Sequence, residues 1–311
     1  MAFKVPPGQE YFFENVRSKV DALIDYKVWP ELKKTQLRAW LNNFSTDCEE
    51  YFAAHLLDAL LYRSNRMIES SFFEIAHQII PREIEKTSNS NLINCYRNIL
   101  GKKKCGNKIK FCTVPKLNAG ASGESILRSF FRATGIDDKL GVRSDKISSV
   151  LEKAEVLIFI DDISGTGKQF KDYLNNPLEK NGKPLIELLQ NKIVIFSPLI
   201  AHQEALKNIG GEFLHQDVFV KPVETISEKD SFFYSADGFF RGDGYNSVCD
   251  AKTFYEDFLV KKGFQIKNEN KYGRLGQALT CVFNNFSCPN NTLPIYYHDN
   301  GSADWKPLFK R

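Results

Sequence analysis

Between residues 108 and 220 short apolar runs alternate with helical segments, and this alternation constrains the fold more than any other feature. "KIKFCTV" (108–114), "VLIFI" (156–160), "KIVIFS" (192–197) and "FLHQDVFV" (213–220) have the length of strands, and most are rich in valine, isoleucine and phenylalanine. Between them lie "SGESILRSFFRAT", "GKQFKDYLNNP" and "IAHQEALKNIGG", read as helices, the last two stopped by Asn-Asn-Pro and Gly-Gly. Strands with no polar alternation are buried on both faces, as in parallel sheets covered by helices. The expected fold class is therefore α/β, a mostly parallel sheet flanked by helices.

The flanking regions differ in character. Residues 1–100 read as an N-terminal helical region, in which Leu32, Leu37, Trp40, Leu41 and Phe44 recur at helical spacing. Ser45 or Thr46 can cap a second helix with an apolar face of Phe52, Leu56, Leu60 and Leu61. "SSFFEIAHQIIP" reads as a third, stopped by Pro81. Residues 101–225 form the alternating core, and 226–311 an irregular, aromatic and turn-rich C-terminal segment.

A net charge of +4 neither demands nucleic acid nor excludes a polyanionic ligand. No apolar run approaches the roughly 18–20 residues that cross a bilayer, and the N-terminus lacks the pattern of a secretory signal. The seven cysteines include no C-x-x-C pair, so neither a zinc site nor a disulfide framework is expected, and the expected setting is a reducing cytoplasm with no membrane partner.

The chemistry concentrates at "VLIFIDDISGTGKQF" (156–170), where a buried strand runs into Asp161 and Asp162, then a loop with two glycines, then a helix. Ligands of an open parallel sheet bind beyond the carboxyl ends of its strands. Gly165 and Gly167 permit unusual backbone angles and let an anion approach main-chain N–H groups, to which the next helix adds its positive dipole end. Lys168 in the first helical turn is mildly unfavourable unless an anion is present. A nucleotide P-loop fails, because Asp162 stands where its first glycine belongs and Gln169 where it has a hydroxyl. A dinucleotide fingerprint fails for want of its third glycine. Adjacent carboxylates at a strand end require partners, and a sugar diol supplies two donors. Together with phosphate on the loop, this describes a 5-phosphorylated ribose. The plainer alternative is a capped turn with solvated aspartates.

An apolar strand, Asp-Asp, a short loop and Thr-Gly resemble the phosphoribosyl pyrophosphate (PRPP) motif of type I phosphoribosyltransferases. The resemblance implies that Asp161 and Asp162 hold the ribose hydroxyls, with Ser164, Gly165, Thr166, Gly167, Lys168 and Gln169 around the 5-phosphate. Gln169 departs from the family, which has threonine or serine there. "RAWLNNF", "AAHLLDALLYRS" and "PNNTLPIYY…WKPLFKR" further resemble a divergent branch found in bacterial conflict systems, including retron-associated antiphage loci. That resemblance implies an antiviral-defence effector, acting on PRPP or a related ribonucleotide by glycosyl transfer or hydrolysis at ribose C1. Magnesium is its expected cofactor, carried mainly by the substrate with no metal ligand set of the protein's own. A retron reverse transcriptase and its DNA–RNA hybrid are its candidate partners. Two alternatives stay open: a ribose-phosphate-binding module without chemistry, and a partner-docking module of a defence complex.

By the same resemblance, Lys116, Ser122 and Gly123 stand where the family has its pyrophosphate loop, although Ser122 equally reads as a plain helix start. "ATGIDDKLGVRSDK" (133–146) is either a mobile loop or a solvated connection, and the second is the preferred reading. The C-terminal segment would be the hood, with Tyr296, Tyr297 and Trp305 free to stack on a base or packed into a core. The basic run "GKKKCGNKIK" (101–110) reads as a solvated loop or a nucleic-acid contact.

Overall fold

The computed structural model describes residues 3–103, 106–115, 122–177, 182–234, 244–283, 288–301 and 304–310, without the side chains of Ser122 and Gly123. The chain opens with α1 (Phe12–Asp25), α2 (Lys34–Leu41), α3 (Asp47–Asp58) and the short strand β1 (Leu61–Arg63). There follow α4 (Asn65–Glu74), α5 (Ile80–Glu85), α6 (Ser90–Leu100), β2 (Ile109–Thr113), α7 (Ser122–Thr134), β3 (Gly141–Val142) and β4 (Val156–Ser164). Next come α8 (Lys168–Asn175), α9 (Leu185–Leu188), β5 (Ile193–His202), α10 (Gln203–Glu212), β6 (Val218–Val220) and β7 (Glu224–Ile226). α11 (Val248–Lys261) and β8 (Cys281–Phe283) complete the series.

These elements form two compact units, residues 1–65 with 227–311 and residues 66–226, in place of the three segments expected from the sequence. The helical N-terminal stretch is split, because helical periodicity does not reveal which core a helix serves. α4 belongs with the sheet, where Phe72 meets Phe130 of α7 edge-on at 5.6 Å, and Phe130 meets Phe111 of β2 at 5.4 Å.

The sheet of the second unit has the order β3-β2-β4-β5-β6, with β7 also on β5, and every pairing is parallel. This is the expected architecture, although two strands are longer than their apolar runs. β4 continues through Asp161 and Asp162 to Ser164, and β5 continues to His202, with Asp161 opposite Pro198 and Ser164 opposite Ala201. Mutual pairing carries both strands past Ile160 and Phe196, where their unbroken apolar runs end, which hydrophobicity alone cannot register. Conversely, "FLHQDVFV" yields only the three residues of β6. α10 passes through Gly210 and Gly211 before ending, a tolerated cost in a helix packed on a sheet. Residues 133–146 close α7 and supply β3, which pairs with Phe111 and Cys112, so the segment is a connection stitched to the sheet edge.

Pro81 does not stop its helix. The backbone widens into a π turn over Ile75–Ile79 and resumes as α5 with Pro81 in its first turn. Proline lacks the N–H that would bond one turn back, and its ring would strike that carbonyl. The wider register removes the conflict, and the buried Tyr96 hydroxyl donates to the Ala76 carbonyl at 2.8 Å.

The first unit has an aromatic core. Phe44 stacks on Phe258 at 5.1 Å, and Trp40 on Tyr296 at 6.2 Å. Glu49 is buried there, accepting from Lys261 at 2.6 Å and from the Ser45 N–H at 2.7 Å. Burial alone would raise its carboxyl, but Lys261, Ser45 and Lys262 together hold it below its ordinary value. Among the cysteines, Cys95 is disulfide-bonded, where the sequence suggested reduced thiols. Cys112 is free and buried, and burial pushes its thiol up to about 12, which leaves it inert at neutral pH. No helix among the described residues is long and apolar enough to cross a membrane.

Candidate functional site

The acid pair occupies the carboxyl end of β4, flanked by β2 on one side and β5 on the other. Both aspartates are buried, at 6% and 5% relative exposure, although carboxylates avoid burial unless partnered. Asp161 Oδ1 accepts from the N–H of Asp162 at 2.9 Å, and Asp162 Oδ1 from that of Ile163 at 2.9 Å. Each carboxylate is thus pinned to the main chain beside it.

Beyond Ser164, itself buried, the chain turns at Gly165-Thr166-Gly167 into α8. Gly167 is the N-cap, at φ 75° and ψ −5°, in the left-handed region that an L side chain enters at a cost. A Cβ there would also lie 2.7 Å from Ile209 Cγ1 and 3.2 Å from the Ala205 carbonyl, so α10 presses directly on the loop. Asn208 of α10 donates from Nδ2 to the Thr166 carbonyl at 3.1 Å. Thr166 Oγ1 accepts from the Lys168 N–H at 3.4 Å. The other side of α8 is anchored by Phe170, which stacks on Phe196 of β5 at 4.2 Å. Glu212 joins the two helices, bonding Lys171 at 2.7 Å and Asn175 at 2.6 Å.

This bracing holds the first turn of α8 at the sheet edge, where N–H groups lack intrahelical acceptors and the helix dipole favours an anion. Two side chains named from the sequence are engaged elsewhere. Lys168 forms a two-pronged pair with Asp172 one turn on, at 2.9 and 2.7 Å, so its place in the first turn requires no bound anion. Gln169 donates from Nε2 to the Pro115 carbonyl at 3.2 Å, bridging to the point where the chain leaves β2.

Of the other candidate residues, Ser122 and Gly123 begin α7, and Lys116 lies outside the described residues. Among its described residues, the basic run is not one surface. Lys102 and Lys103 are exposed, Lys108 pairs with Glu155 at 2.6 Å, and Lys110 is buried in β2 with Nζ 3.4 Å from the Lys139 carbonyl. Tyr296 and Trp305 are core residues, at 0% and 3% exposure. The Tyr296 hydroxyl donates to the Leu56 carbonyl at 2.7 Å and the Trp305 indole to that of His298 at 3.0 Å, so neither is open to stack on a base.

Sequence reading missed Asn208 and Pro115, and read His202 as structural or surface without finding its cap. His202 ends β5 and caps α10, its Nδ1 accepting from the Glu204 N–H at 3.2 Å. An N-cap position after an apolar run could have flagged His202. No local signal marks the other two, whose contacts span 42 and 54 positions.

None of the curated proteins matches this chain. A family model, PRTase-CE, does match, over residues 37–311, a span that includes the parallel sheet, the acid pair and the glycine loop. The chain therefore belongs to the PRTase-CE family, which is phosphoribosyltransferase-like.

Proposed function

We propose that the carboxyl edge of β4 binds PRPP or a related ribose 5-phosphate compound, and that the protein carries out glycosyl transfer or hydrolysis at ribose C1. The observation that carries this reading is Gly167: a left-handed N-cap packed against α10, directly after two buried acids at the end of a central parallel strand. In this reading the 5-phosphate lies on the N–H groups from Gly165 to Gln169. Asp161 and Asp162 accept hydrogen bonds from the ribose hydroxyls. Ser164 and Thr166 line the turn between them.

The bond from C1 to the pyrophosphate oxygen breaks and its electron pair leaves with the diphosphate. A base nitrogen or water oxygen bonds to C1 and releases its proton to solvent. Positive charge develops on the ring as the bond opens, and carboxylates held near the sugar stabilise it without reorganising. The rest of the protein's work is positioning. Magnesium would arrive on the diphosphate, whose oxygens supply the hard ligands this ion takes, since no cluster of three or more acids, histidines or cysteines among the described residues could hold it. When bound, the ion neutralises charge on the leaving group.

Titration calorimetry of PRPP with magnesium, on the native protein and on Asp161→Asn/Asp162→Asn, tests the reading. Micromolar binding that the double substitution abolishes is the expected outcome. No binding to the native protein would sink it. We further place the activity in antiphage defence, with a retron reverse transcriptase and its DNA–RNA hybrid as partners. The sequence resemblance alone supports that placement, and co-purification with such a partner tests it.

A second reading, a ribose-phosphate-binding module without chemistry, draws on Lys168 and Gln169. Both are engaged within the protein, which leaves the phosphate to backbone donors. Binding of PRPP with no turnover against any acceptor or water would favour it. In the third, a module that only docks a partner, neither binding nor turnover is expected.

A further inference from the structure

We propose that Gln169 is a positioning residue, which couples the end of β2 to the first turn of α8 and so makes the site prefer a ribose 5-phosphate bearing a diphosphate at C1 over plain ribose 5-phosphate. This rests on the ribose-phosphate reading above. A hydroxyl at this position, as type I phosphoribosyltransferases have, could reach an anion at the helix terminus but not the neighbouring strand. The longer glutamine amide spans to the Pro115 carbonyl, 3.2 Å away.

Pro115 stands just past the last paired position between β2 and β4, Thr113 opposite Ile160. Proline has no N–H, so its carbonyl is the one backbone group by which it can be tied to its surroundings. Gln169 takes that carbonyl. On its far flank the loop is held by Asn208, and Gly167 lies against Ile209. The β4–α8 turn is therefore fastened on both sides, to α10 and to β2.

A ligand touching only α8 and the acids gains nothing from the bond to β2. A ligand that also reaches the end of β2 finds the two chain segments already ordered, and loses less freedom on binding. The diphosphate of PRPP is such an extension, since β2 is the strand beside the acids on the side away from β5.

The test compares affinities for PRPP with magnesium and for ribose 5-phosphate on the native protein, Gln169→Met and Gln169→Thr, with thermal melting as the control for folding. Methionine keeps the length and removes the donor. PRPP affinity should then fall about tenfold, as for one lost hydrogen bond, while ribose 5-phosphate affinity stays within about twofold. Threonine should hold ribose 5-phosphate at least as well as the native protein and still lose the preference for PRPP. If Gln169→Met does not fold, the Gln169→Thr result decides. An equal loss for both ligands would make Gln169 a direct phosphate ligand and overturn the coupling alone, as would no loss for either. A native protein that binds neither ligand would overturn the ribose-phosphate reading, and this inference with it.

Discussion

The carboxyl edge of the parallel sheet and the aromatic C-terminal segment both carry residues suited to holding a nucleotide, and they are built in opposite ways. At the sheet edge the backbone is constrained, yet a first helical turn necessarily leaves N–H groups without intrahelical partners. In the C-terminal segment two of the candidate aromatic side chains, those of Tyr296 and Trp305, are spent. Tyr296 is fully buried against Trp40 with its hydroxyl bonded to Leu56, and the Trp305 indole is bonded to His298. On the proposed reading, binding would follow from main-chain donors at a helix terminus, and residue type is a poor guide to it.

Substitutions can break or sharpen that contrast. The largest effect is expected in the aromatic core, where Tyr296→Ala should cost about 4 kcal/mol in denaturant unfolding, as for other large-to-small changes in a core. Tyr296→Phe, which leaves the Leu56 carbonyl without its donor, should cost about 1 kcal/mol and leave PRPP affinity unchanged. A loss of PRPP affinity in Tyr296→Phe would break the contrast, because the aromatic segment would then belong to a binding site.

At the sheet edge the two glycines should separate. Gly167→Val combines a left-handed φ with a Cβ 2.7 Å from Ile209, and should cost about 3 kcal/mol as well as ligand binding. Gly165→Val should abolish phosphate binding with little change in the melting temperature. Undiminished affinity for a 5-phosphorylated ribose in Gly165→Val would remove the phosphate from the loop.

The smallest effect concerns Glu49. Its folded carboxyl titrates below the ordinary value of 4.5, so the stability it contributes is present above that pH and fades as pH falls through the lower folded value. Glu49→Gln should flatten this acid limb of the stability curve. An unchanged acid limb would show that Lys261 and Lys262 do not govern the folded carboxyl.

Much of this organisation was legible beforehand. The parallel order followed from unbroken apolar runs joined by helices, and the acid pair and glycine loop fell at a strand end as their order required. Boundaries were less legible wherever tertiary pairing outweighed local preference. β4 and β5 extend past their apolar runs because each supplies the other's ladder, and α10 crosses Gly210 and Gly211 while packed beside the loop. Pro81 was read as a stop, but a π turn gave the helix a way through.

Hydrophobic periodicity and turn chemistry act over a few residues, and at that range the sequence by itself determined the class of fold, the location of the candidate site and the family resemblance. The tertiary structure alone decided which helices serve which core, that Lys168 is paired with Asp172 and Tyr296 buried, and that Asn208 and Gln169 brace the loop from either side. The two braces link positions 42 and 54 residues apart. Such contacts exist only once the strands and helices between them have packed, and no local pattern encodes which distant carbonyl an amide will find.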